Sequence, residues 1–491
     1  MLKPLNAAKW NFTTAAHLLN RAGFGGPPAE IQKLAEMGQE QAVVSLVEYE
    51  KIPDPISDPA WAKPDPERQA RFVALRNATE EKRKMLQREE QQRQREQMIE
   101  LRGWWLGRMT KGPRPLQEKM TLFWHGHFAT SAEKVREAYF MWRQNELFRR
   151  LAAGNWLELL IEAGKDPAML VWLDQAQSRK DHPNENFARE VMELFALGEG
   201  HYTEKDITEA ARALTGWGLD RQAEKYVYRP GTHDEGTKTF LGKTGNLDGE
   251  DVLAQIVAQP QAALYITAKL WNFFAGETPS PELNHALSDI FRKSDNTFKP
   301  VLQAMFLSEE FYEASLIRNQ VKSPVQWLVN SARVLECELP PPLACAAVLR
   351  TLGQDLFAPP NVKGWDGGLA WITTNNLLSR YNEAAALVQG DMSLVAGMAD
   401  TRNPQQARQI QNRLRNYRAG GVNVEKILTG PERLDKNALV AALEKRLLQD
   451  KLKPRQEQSL REFLDSRKQL NEADVRTAIR LVMSTPEYQL T

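Results

Sequence analysis

The chain has 491 residues, 42% of them hydrophobic and 26% charged, with a formal net charge of +1. That is the balance of a globular chain with room for a large core or two to three domains, and the near-neutral charge argues against a strongly basic nucleic-acid binder. Two cysteines eight residues apart, Cys337 and Cys345, imply no disulfide framework. No apolar run approaches the roughly 20 residues that span a bilayer, and the N-terminal stretch lacks the apolar segment of a secretory signal. The chain as written therefore reads as cytoplasmic, although a chain trimmed of its signal reads the same way.

In chain order, residues 12–50 read as two short helices, with Thr13 or Thr14 as a cap and Gly23, Gly25 and Gly26 as breaks; His17 and Arg21 are four apart on the first. Residues 52–66 form a proline-rich strap. Residues 79–103 combine helix formers with mixed charge and predict a long, mostly solvated helix. Apolar helices return over 104–165. In the segment that begins at His182, Pro183 suits a first helical turn. Phe187, Val191, Leu194 and Phe195 then form one helical stripe, and Asn186, Arg189, Glu190 and Glu193 form another. Gly198 and Gly200 stop that helix. Thr203 and Asp206 resemble a capping box, and Ile207, Ala210, Ala211, Leu214 and Trp217 give a second helix its core face, ending at Gly218.

Residues 219–245 change character. YVYRP and TKTFLG are short β-type runs on either side of GTHDEG, which predicts a small hairpin insert around 224–242. Helices resume at 249–276 and 281–318, from Pro324 to about Glu336, at 346–352, and from Leu377 to about Gly390. FAPPNVKGWDGGLAWITTNN is a Gly/Pro/Trp loop. Residues 391–491 are polar and helical. The fold class is all-α, a large multi-helix globular domain with a small β-hairpin insert. Residues 1–390 form the helical core, and 391–491 a C-terminal helical region packed on it.

Three groups of residues invite chemistry. His125-Gly126-His127, on a backbone that Gly126 breaks, would point two imidazoles at one metal; the alternative is two histidines hydrogen-bonded in an aromatic cluster with Trp124 and Phe128. Glu190 and Glu193 present two carboxylates from one helix, able to bind a hard cation or to serve as a general base. Their plain reading is a solvated face with Arg189 paired to Glu193. His233-Asp234 sets an imidazole beside an acid, or forms a turn in which Asp234 accepts backbone N–H groups. HExxH, GxSxG and Rossmann motifs are absent; the single ExxH, Glu282 and His285, reads as surface. LGKTG at 241–245 lies in a hairpin context and lacks the spacing of a phosphate loop.

Together HLLNRAGFG, LFWHGHFATS, NENFAREVMELFALGEGHYTEKDITEAARALTGW, HDEGTKTFLG and PPNVKGWDGGLAWITTNNLLSRYN resemble the bacterial DUF1800 family, a domain of unknown function, from about residue 12 to the C-terminal PEYQ. The resemblance implies a large, mainly helical bacterial protein. Many members are exported, and many are encoded beside DUF1501 proteins, which look like the sulfatase and phosphatase superfamily; the missing signal departs from that pattern. The family's motif positions fall on His17, Arg21, His125, His127, Asn184, Glu185, Asn186, Arg189, Glu190, Glu193, Thr203, Asp206, Arg212, His233, Asp234, Lys238, Asn361, Gly364, Trp365, Trp371 and Arg380. So many polar motif residues imply a site. In the enzyme reading, a divalent metal is held by His125, His127, Glu190 and His233. Glu190, Glu193, Arg189 and Asp234 act in hydrolysis or redox chemistry, and Lys238 helps Arg189 bind an anionic group. The alternative is a non-catalytic binding or scaffold protein that presents its Trp365/Trp371 loop to a partner such as a DUF1501-like protein.

Overall fold

Caps written into the sequence set most of the helix boundaries in the computed structural model, which describes residues 2–390 and 421–491. Asn11 accepts the N–H groups of Thr13 and Thr14 and opens α1 (Phe12–Ala22), so the two threonines lie inside the helix and not at its cap. Residues 12–50 hold three helices where two were expected. Gly38, at φ +79°, separates α2 (Pro28–Met37) from α3 (Gln39–Val47). His17 and Arg21 are internal braces. The His17 ring bonds the Phe311 carbonyl at 3.0 Å, and the Arg21 guanidinium donates to the carbonyls of Phe274, Leu316 and Thr491 at 2.8–2.9 Å.

After the strap come α4 (Arg68–Asn77) and α5 (Glu80–Lys111). The charged stretch and the following WWLGRM run are one continuous 32-residue helix. Its first turns stand in water; from Met98 onward Leu101, Trp105, Leu106 and Met109 are buried. α6 (Pro115–His127) is the central helix, with every residue from Leu116 to His125 buried. Leu116, Met120, Phe123 and Trp124 feed one core and Leu122 the other. An element enclosed on all sides shows no amphipathic stripe, so its polar residues must find partners within the protein.

α7 (Ala132–Val135), α8 (Ala138–Arg150), α9 (Trp156–Lys165) and α10 (Pro167–Trp172) follow. α11 (Glu185–Glu190) is capped by Asn184, which leaves Pro183 outside the helix, and it runs directly into a π turn, Val191–Ala196. α12 (Glu204–Ala213) carries the expected Thr203–Asp206 capping box. It stops four residues before Trp217, which lies on a strand. The β element is two hairpins, not one: β1 (Trp217–Asp220) pairs antiparallel with β2 (Lys225–Tyr228), and β3 (Lys238–Phe240) with β4 (Lys243–Gly245). The YVY run pairs backwards with WGLD and KTF pairs forwards with KTG, so GTHDEG connects two hairpins.

α13 (Gly249–Val257), α14 (Pro260–Ala275), α15 (Pro281–Lys293), α16 (Phe298–Leu307), α17 (Pro324–Val334), α18 (Pro342–Thr351) and α19 (Thr374–Gln389) complete the N-terminal part. Helices Val424–Ile427, Lys436–Leu443, Pro454–Asp465 and Glu472–Met483 share their apolar core with α5, α17, α18 and α19. The helical expectation for residues 391–420 falls outside the described residues. The fold is all-α with a small β insert, and no described helix is long and apolar enough to cross a membrane.

Candidate functional site

The HGH sequence lies in the last turn of α6 and not on a broken backbone. Residues two apart on a helix point to nearly opposite sides, so the two imidazoles diverge. The Asn145 amide meets His125 Nε2 at 3.0 Å, and rings of Trp105, Phe148 and Phe357 surround it at 4.7–5.1 Å. Asn145 in turn accepts from Arg149, which pairs with the buried Glu118 alongside Arg108 at 2.8 Å. Burial, with Arg149 second, pulls His125 down to about 3, so the ring is neutral. His127 donates through Nε2 to the Phe195 carbonyl at 2.9 Å; burial, with Lys269 nearby, holds it neutral as well.

That carbonyl belongs to the π turn. A turn closed i→i+5 disturbs the carbonyl pairing of an ordinary helix, and side chains from elsewhere supply partners. Tyr265 Oη donates to the Leu194 carbonyl at 2.8 Å, Lys269 Nζ reaches the same oxygen at 3.1 Å, and His127 takes Phe195. Burial lowers Lys269 to about 8 and raises Tyr265 to about 12.

Glu190 ends α11 and Glu193 sits in the π turn. Glu193 accepts a hydrogen bond from the Tyr202 hydroxyl at 3.3 Å. Glu190 is half-buried and, among the described residues, enters no hydrogen bond or ion pair. Its carboxyl is raised above the ordinary range, first by burial and then by the Glu193 carboxylate, against the pull of Arg189 and Lys363. Arg189 does not pair with Glu193, four residues on, as on a regular helix. It makes a two-pronged pair with Glu204 at 2.8–2.9 Å, with Glu185 at 3.7 Å.

Lys363 brings in the Gly/Pro/Trp loop. A Cβ on Gly364, at φ +92°, would sit 2.3 Å from the Gly126 carbonyl oxygen, and one on Gly126 would touch the Trp365 ring at 3.7 Å. Gly364 thus allows the loop to lie on the end of α6; Gly126 is a contact surface rather than a break. The Trp365 indole N–H is buried without an acceptor among the described residues.

The other sequence candidates form a clasp. His233 Nδ1 bonds the Thr215 carbonyl at 2.8 Å. Asp234 takes both prongs of Arg212, at 2.8 and 3.1 Å, and the Gly236 N–H at 2.8 Å; the Arg212 hydrogen bond is the main cause that holds its carboxyl below the ordinary range. Lys238 donates to the carbonyls of Asp234 and Gly236. These bonds tie the two hairpins to α12. The four residues expected as metal ligands are therefore differently placed: His125, His127 and His233 are bonded into the frame, and only Glu190 is free. Among the described residues, no group of three or more His, Cys, Asp or Glu side chains is arranged to hold a metal ion. What the structure does gather is Glu190, Glu193, Tyr202 and Lys363. Tyr202, Tyr265, Lys269 and Lys363 escaped the sequence reading; the only local signal was the four-residue spacing of Tyr265 and Lys269.

A family model, Protein of unknown function (DUF1800), matches residues 17–490. No curated protein and no solved structure matches the chain.

Proposed function

This chain belongs to the DUF1800 family, and we propose that it is a hydrolase of the acid–base type, with Glu190 as proton donor and Glu193 as its partner carboxylate. The observation that carries this reading is the condition of Glu190. It is the one carboxylate of the motif positions left without a bonding partner among the described residues, and burial plus a neighbouring carboxylate raise its affinity for a proton. A pair of carboxyl groups whose surroundings push them apart divides acid and base roles. Glu190 gives its proton to the leaving oxygen as the C–O bond breaks, and Glu193, steadied by Tyr202, takes a proton from the attacking water as the new C–O bond forms. Glu193 lies close enough to raise the Glu190 carboxyl, so the two groups can face one scissile bond.

The test is a panel of chromogenic glycosides and esters, with wild type, Glu190→Gln and Glu193→Gln compared after a check of their melting transitions. The reading expects turnover of one substrate class with a bell-shaped pH profile, and a drop of about 10²–10⁴-fold with the alkaline limb lost in Glu190→Gln. Turnover unaffected by Glu190→Gln would contradict it. The same pair could instead bind a hard divalent cation, with water completing the coordination as Mg²⁺ prefers; a Mg²⁺ requirement for turnover would favour that form.

A binding or scaffold role with a partner such as a DUF1501-like protein is the second reading. It is favoured by how many motif residues serve the frame, and by Leu369, 81% exposed in the tryptophan loop. Co-elution of the two purified proteins, lost in Leu369→Glu, together with no turnover of any substrate, would support it over the first.

A further inference from the structure

α18 ends at Thr351 and α19 starts at Thr374, and the 22 residues between them hold one short 3-10 turn, Gly368–Trp371. Connections of this length inside a packed domain are uncommon, and many are lids or binding loops. Residues 359–372 are fastened differently from the helices around them. Among the described residues, their hydrogen bonds all close within the stretch. The Lys363 N–H donates to Asn361 Oδ1 at 2.8 Å and the Gly364 N–H to the Asn361 carbonyl at 3.2 Å. Ala370 donates to Gly367 at 3.2 Å and Ile372 to Leu369 at 3.0 Å. Neither Lys363 nor Asp366 makes an ion pair with another described residue.

What seats the stretch is shape alone. Gly364 lies against the Gly126 carbonyl, the Trp365 ring lies over Gly126, and Val362 packs on the core. The seat is imperfect, because it encloses the Trp365 N–H without an acceptor among the described residues, and that group loses its water with nothing in return. Segments with few hydrogen bonds to the frame are the ones that open first. Pro359 and Pro360 stiffen one end, and Gly367 and Gly368, at φ +76° and +56°, form a swivel at the other. Once seated, the stretch brings one charge to the carboxylate pair, since the Lys363 ammonium acts on Glu190. The other cation that acts on Glu190, Arg189, is carried by α11 and tied to Glu204, so it stays whether or not the loop moves.

We infer that residues 359–372 are a lid of the Glu190–Glu193 site, latched by Gly364 on the end of α6, and that Lys363 is the residue its closure adds. The role of the lid rests on the hydrolytic reading above. Closure sets a positive charge beside Glu190, which favours the carboxylate and so favours passage of its proton to the leaving oxygen of a substrate. Opening withdraws that charge, lets the carboxyl take up its next proton, and gives product a way out.

The test is the ¹³C titration midpoint of Glu190 in the full chain, read in a cycle of substitutions whose melting transitions are checked first. Lys363→Met is expected to raise the midpoint by a few tenths of a pH unit, the size of one screened charge. Gly364→Ala puts a Cβ into the Gly126 carbonyl at a positive φ, and Trp365→Ala removes the ring that rests on α6; either is expected to release the lid. In both backgrounds Lys363→Met is then expected to leave the midpoint unmoved. Gly126→Ala adds a Cβ at ordinary contact distance from Trp365, 3.7 Å, and is expected to keep the full Lys363→Met effect. An equal Lys363→Met effect in wild type, Gly364→Ala and Trp365→Ala overturns the lid, and no effect in wild type overturns the role of Lys363. The midpoint is read without any substrate, so failure of the hydrolytic reading shows separately, in the glycoside and ester panel.

Discussion

The end of α6 and the π turn that follows α11 meet across one hydrogen bond, His127 to Phe195, yet they treat their polar residues in opposite ways. At the end of α6, His125 and His127 are fully enclosed, neutral and bonded, one to the chain Asn145–Arg149–Glu118 and the other to a backbone carbonyl. At the π turn, partners drawn from α6 and α14 satisfy the backbone, and Glu190 is left over. Polarity in a motif thus has two sources. One is the cost of building an unusual backbone turn inside a core, and the other, in the function proposed above, is a group reserved for a ligand. Only the list of bonding partners separates them.

Substitutions can sharpen that contrast, beginning with the largest effect. Glu118→Ala removes the buried acid that Arg108 and Arg149 share and leaves them only their outer partners, Asp54 and Glu146; a loss of up to about 3–5 kcal/mol in urea unfolding is expected, because breaking a buried pair exposes the desolvation cost of the partner. A loss below 1 kcal/mol would show that the network does not hold the end of α6. Acid comes next. His125 has a folded value of about 3 against an ordinary value of 6.5. The unfolded chain therefore takes up the proton first, and stability is fully present above pH 6.5. It falls as pH drops and is lost progressively down to about pH 3. At 1.36 kcal/mol per unit this is roughly 5 kcal/mol, and His125→Gln should flatten the curve over that window. Tyr265→Phe removes one of the two donors to the Leu194 carbonyl, and about 1 kcal/mol is expected. Arg189→Ala, which breaks a solvent-facing pair with Glu204, should leave the melting temperature within about 1 °C of wild type. A larger fall would place Arg189 among the frame residues.

Features encoded in a few adjacent residues were readable before the fold was known. The Thr203–Asp206 capping box needs only four positions, and the helical class follows from stripes such as Phe187, Val191 and Phe195. Features closed by distant partners were not. The π turn depends on His127, Tyr265 and Lys269, which lie some 70 residues from it in either direction along the chain. Gly126 reads as a helix breaker by propensity, but it sits within α6, and the glycine the packing requires is Gly364, against the Gly126 carbonyl. The YVY run carries a strand signal with no indication of whether its partner precedes or follows it. Histidines in Gly-flanked stretches attracted a metal reading because such residues in loops tend to be functional; inside a central helix the same residues are enclosed and bonded.

The central claim is that Glu190 is held protonatable by its surroundings and Glu193. NMR titration of ¹³C-labelled glutamates in wild type and Glu193→Gln tests it directly. The account predicts a Glu190 midpoint above the ordinary carboxylate range that moves part of the way back when Glu193 is neutralised. A midpoint at or below that range, or one indifferent to Glu193→Gln, would contradict it.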